Sequence, residues 1–173
     1  ASGPNYNMPW DLFDYAGRVA AAQAGYAHAR KALDLIDGVT GWEAALIHAL
    51  PARHPQPDPL DPEAMKAWNA NFADAMRDVF AAHPESHEVR TVFAESLLNL
   101  TPWKMWDLTS GQPAAGARTV EVQTVLEEAL EGDPSAMHHP GLLHLYVHLM
   151  EMSPFPEKAL KAGDALRRLV PDA

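Results

Sequence analysis

The chain has 173 residues, 47% hydrophobic and 21% charged, a balance that suits a soluble protein burying one substantial core. Its formal charge of −10, with no Lys or Arg cluster, argues against nucleic acid or an anionic membrane as a partner. The absence of cysteine excludes disulfides and thiolate ligands, and no apolar run is long enough to span a membrane.

Apolar residues recur with a helical period between proline and glycine breaks, and no segment alternates as a strand does, so the chain reads as all-α. Residues 1–17 form an irregular N-terminal segment, and Ala1-Ser2-Gly3-Pro4 lacks a signal-peptide pattern. A soluble protein is expected, and a cysteine-free composition suits the cytoplasm and export equally. An alanine-rich helix is predicted from Arg18 to Asp37, closed by Gly38. Thr40 and Glu43 have capping-box spacing, which predicts a helix that ends before Pro51. Residues 51–60 hold four prolines and read as a loop, after which Asp61-Pro62 starts a helix reaching Ala82.

Further helices are predicted over residues 85–100, 119–131, 139–152 and 157–170. Paired helices punctuated by proline have the pattern of a tetratricopeptide-like α-solenoid, so residues 1–173 are expected to form one helical-repeat domain of antiparallel pairs. The repeat is irregular because residues 102–118 are inserted. Trp103 and Trp106 lie in that insertion; they are expected to fold back over the core, or else to line a pocket together with Tyr146.

The most informative stretch is His138-His139-Pro140-Gly141-Leu142-Leu143-His144-Leu145-Tyr146-Val147-His148-Leu149-Met150-Glu151. On a helix His148 lies about 40° from His144, and Glu151 lies about 20° beyond His144 on the other side, so the three form one narrow stripe. Every other face is apolar, which predicts burial and a need for polar partners. Two imidazoles at i and i+4 can grip one ion, with Glu151 as a third ligand and His139 and Glu95 as secondary candidates. Copper, zinc or iron would suit this donor set. Leu145 stands where a zinc protease carries its general-base glutamate, which removes the peptidase reading. A hydrogen bond between His148 and Glu151 would satisfy both residues without metal. His28, His54, His83 and His87 lie beside turns or on polar faces and are expected at the surface.

Several segments in order resemble a family of bacterial and fungal tetratricopeptide-repeat proteins of uncharacterised function: Gly3-Pro4-Asn5-Tyr6-Asn7, Glu43-Ala44-Ala45-Leu46-Ile47, Ala94-Glu95-Ser96-Leu97 with Pro102-Trp103, and His139-Pro140-Gly141 with His144 and His148. The segment Pro156-Glu157-Lys158-Ala159-Leu160 extends the likeness. The resemblance implies a longer parent protein that continues past Val170-Pro171-Asp172-Ala173 into more histidines. It therefore implies that the chain is a fragment, able to self-associate or to pair with the remaining C-terminal portion. Two functions are expected from the sequence. One is a His/carboxylate metal site that could form part of a metalloenzyme centre. The other is a metal-free scaffold holding a peptide in a groove lined by Asn69, Asn71, Asn99 and tryptophans.

Overall fold

The computed structural model describes residues 3–171; Ala1 and Ser2 of the predicted N-terminal segment, and Asp172 and Ala173 of the closing motif, lie outside the described residues. The described residues contain seven α-helices and no β-strand, so the chain is all-α as its periodicity predicts. They divide into two compact units, Ala1–His83 and Pro84–Ala173. No helix is long and apolar enough to cross a membrane.

The first unit holds α1 (Tyr15–Asp34), α2 (Gly41–Arg53) and α3 (Pro62–Ala82), with α2 packed on both α1 and α3. Asp14 sets the start of α1 by accepting from the Gly17 amide at 2.7 Å, three residues before the predicted boundary. The helix stops at Asp34, and Gly38 serves the turn that follows with φ of +85°. Thr40 does precede α2, but its side chain makes no capping bond. Gly41 has φ of +62°, so the chain enters the helix without the geometry that a capping box requires.

Pro51 lies inside α2 instead of ending it, and the loop begins at His54. A proline removes only its own ladder bond, and the helix still closes through the His54 amide on the Leu50 carbonyl at 3.2 Å. Asp61 caps α3 through the Glu63 and Ala64 amides, with Pro62 in the first turn as predicted. Trp10, Ala21, Ala22, Met65 and Trp68 form a buried cluster in which the two indoles meet edge to face at 6.0 Å.

The second unit holds α4 (His87–Leu98), α5 (Thr119–Gly132), α6 (Pro140–Met150) and α7 (Leu160–Leu169). Ser86 caps α4 through the Val89 amide at 3.2 Å, so this helix is shorter at both ends than its periodicity suggests. Val122, Val125, Leu126 and Ala129 form the buried face of α5, as their spacing requires. Pro156–Ala159 is a separate 3-10 turn, so α7 starts at Leu160. Helix α4 packs on α5 and also on α6, and α6 packs on α5 and α7. Phe93, Leu97, Leu126, Leu142 and Leu149 are among the buried side chains of this core.

The inserted segment between α4 and α5 folds back on the unit. Met105 is buried, its carbonyl accepts from the Thr119 hydroxyl and the Ala114 amide, and Trp106 Nε1 donates to the Leu149 carbonyl at 2.6 Å. Trp106 thus ties the loop to the end of α6. Trp103 remains 43% exposed.

Candidate functional site

Helix α4 with its C-cap carries His87, Thr91, Glu95 and Asn99 at four-residue steps, which places them on one stripe. Across from it, α6 carries His139 at its N-cap and His144 and His148 further along. Gly141 permits the close approach of the two helices: a Cβ there would fall 2.7 Å from Thr91 Cγ2. The stripes meet in a polar seam on the second unit. Its two ends differ in chemistry.

At the α6 N-terminus, His139 Nδ1 accepts from the Leu142 amide at 3.2 Å and lies 3.4 Å from Thr91 Oγ1. The predicted N-cap is therefore formed by an imidazole lone pair. Desolvation holds the His139 pKa below its ordinary value and His87 adds to this, while Glu88 opposes it. Capping and desolvation thus both favour the neutral ring. The His87 and His139 rings meet edge to face at 5.9 Å. Ser135 Oγ and Asp133 Oδ2 lie 3.0 and 3.2 Å from His87 Nε2. This is no nucleophilic triad, because serine and carboxylate share one ring nitrogen while His87 Nδ1 is buried without a hydrogen-bond partner.

At the far end, the His144 and His148 rings stand edge to face with centroids 4.5 Å apart. Glu151 Oε1 lies 2.9 Å from His148 Nδ1, a contact that fixes the ring and directs its other nitrogen elsewhere. Partial desolvation lowers the His144 pKa and His148 adds to this, while Glu151 and Glu95 pull it upward. Glu95 of α4 therefore lies within electrostatic reach of His144, and its Oε1 accepts from Asn99 Nδ2 at 3.4 Å. The Trp103 ring closes this end, 6.0 Å from His148. Its φ of +61° is uncommon for so bulky a residue.

One sequence expectation changes here. The stripe is not buried: His144 and Glu151 are exposed and His148 is half-buried, while Leu142, Leu143, Leu145, Tyr146, Leu149 and Met150 take up the core faces. Among the described residues no group of three or more His, Asp or Glu side chains is arranged to hold a metal ion. Glu151 partners His148. Tyr146 lines a cleft whose walls do not include Trp103 or Trp106. The Tyr146 hydroxyl donates to Glu127 Oε1 at 2.8 Å beside this cleft of about 250 Å³, lined also by Leu130, Met137, Lys158 and Lys161. Burial and the Glu127 carboxylate push its pKa up.

Sequence reasoning missed His87 and His54. The first extends the α4 stripe by one further four-residue step, a signal present in the spacing. The second is only 8% exposed, contrary to the surface position expected for it. Gly25, unusual inside an alanine-rich helix, is the signal that marks it. Asn69 and Asn99, expected to line a groove, are buried.

The fold and the seam define an all-helical protein with a histidine- and carboxylate-bearing face. No family model, curated protein or solved structure matches the chain.

The closeness of α4 and α6 at Gly141 yields a direct prediction. Gly141→Val should destabilise the second unit by about 1–3 kcal/mol through overpacking against Thr91. Thr91→Ser removes the opposing methyl and should recover part of the loss. Urea unfolding of the single and double variants measures the coupling, and strictly additive losses would contradict the close approach.

Proposed function

We propose that the far end of the seam is a transition-metal site in a tetratricopeptide-like helical-repeat protein, with His144 and His148 as the primary ligands. The observation that carries this reading is the 4.5 Å imidazole pair whose second ring is held at Nδ1 by Glu151. A carboxylate on one imidazole nitrogen orients the ring and raises the basicity of the other, as outer partners do at metal-bound histidines. Glu151 therefore acts through His148. Glu95 supplies the third ligand by a side-chain rotation from α4. Such a set leaves coordination positions open for substrate or water, and Trp103 walls that side. Copper is the ion this site should hold most tightly, with zinc and iron as weaker occupants. The packing of α4 on both α5 and α6 supports the helical-repeat reading, because stacked pairs place every second helix side by side.

Retention of one copper or zinc ion per chain after gel filtration, measured by elemental analysis, is the expected result. His144→Ala with His148→Ala should abolish it and leave the helical circular dichroism unchanged. Glu151→Gln should weaken binding about 10–100-fold, the usual effect of losing an outer partner. Retention undiminished in the double variant would overturn the assignment.

A further inference from the structure

The first unit contains a cleft of about 340 Å³ where α2 faces α1, lined by Gly25, His28, Ala29, Leu50 and His54, with Ala32 at its rim. Apart from the two imidazoles the walls are glycine and aliphatic side chains. His54 sits at the C-cap of α2, and its ring is seated against Gly25 and near Gly3. Its Nδ1 is buried without a hydrogen-bond partner. A lone pair rests against a glycine methylene at lower cost than a buried N–H with no acceptor, so the ring proton belongs on Nε2. Among the described residues the His54 side chain makes no hydrogen bond, and Nε2 is not sealed off as Nδ1 is. The cleft is therefore largely apolar, and the His54 N–H is the donor its buried wall offers.

We propose that this cleft binds a small carboxylate bearing a short apolar group, with His54 Nε2–H donating to the carboxylate and the glycine, alanine and leucine walls enclosing the rest. The sign of the ligand follows from Arg53. Its guanidinium lies over the Phe72 ring, donates to the Pro4 carbonyl, and acts on His54 as a neighbouring cation. That field opposes a metal ion at His54 and favours an anion. A protein with a formal charge of −10 offers few such places. The site is independent of the seam on the second unit, since it shares no residue with it.

Benzoate is the probe, with benzyl alcohol as its uncharged counterpart, and ¹⁵N resonances of the histidine side chains in the full chain are the readout. Saturable shifts at His54 Nε2 are expected with benzoate, and binding at least about 10-fold weaker with benzyl alcohol, since a charge-assisted hydrogen bond contributes more than a neutral one. His54→Phe should weaken benzoate about 10–100-fold. Ala32→Leu places a larger side chain at the half-buried rim, leaves His54 intact, and should prevent binding, which keeps the test decisive should the phenylalanine variant fold poorly. Absence of saturable shifts, equal binding of the alcohol, or undiminished binding in Ala32→Leu would each overturn the proposal.

Discussion

Acidification should destabilise the first unit through His54, beginning at a pH above that at which most carboxylates titrate. Burial, followed by Arg53 and then His28, lowers the pKa of this imidazole from 6.5 to about 4. The unfolded chain takes up the proton near its ordinary value, whereas the folded chain resists it. Stability from the neutral ring is therefore complete above pH 6.5, declines as the pH falls from 6.5 to about 4, and is lost below that. At 1.36 kcal/mol per pKa unit the loss is on the order of 3 kcal/mol, a large share of a small domain's stability. Urea midpoints measured across this range should fall steeply for the native sequence and more gently for His54→Gln. Equal slopes in the two proteins would show that another group carries the effect.

Gly25→Ala should also destabilise the first unit, although alanine is the better helix former. A Cβ at Gly25 would lie 2.8 Å from His54 Cγ and closer still to Nδ1 and Cε1, so the whole ring has to move. Little room exists on its other side, where a Cβ on Gly3 would already come within 3.1 Å of Cε1. Overpacking of this kind costs about 1–3 kcal/mol, and the gain in helix propensity of roughly 1 kcal/mol offsets only part of it. The expected result is a net loss of up to about 2 kcal/mol, seen as a lowered thermal midpoint. Combining Gly25→Ala with His54→Ala should remove the clash, so the double variant should lose less than the two single losses together. Additive losses would place the ring elsewhere.

These two residues also illustrate what a linear reading can reach. Most helix starts were legible because capping is local: Asp61 with Pro62 and His139 with Pro140 each act within one turn. Where a start differed, as at Asp14, another cap lay a few residues away. Pro51 misled for a related reason, since a proline forfeits its own N–H bond and crowds the carbonyl four residues back without barring later residues from the ladder, and α2 runs on to Arg53. The spacing of His144, His148 and Glu151 was equally legible, and the rings do stand together. Their environment was not. An apolar helix suggests burial all round, but α6 packs on α4, α5 and α7 and leaves the histidine edge facing outward.

Composition and period by themselves determined an all-helical protein, its cysteine-free chemistry, its acidic character and the residues that share each helix face, because all of these depend on residue type and on separations of a turn or two. Which faces meet was decided only in the tertiary structure. Contact between α4 and α6 aligned Thr91 with His139 and brought Glu95 within reach of His144, and the packing of α2 on α1 buried His54 against a glycine far from it in the chain. Such pairings arise from the burial of apolar surface by whole helices, which depends on the joint fit of distant segments and leaves no trace in local spacing beyond a glycine where the fit is closest.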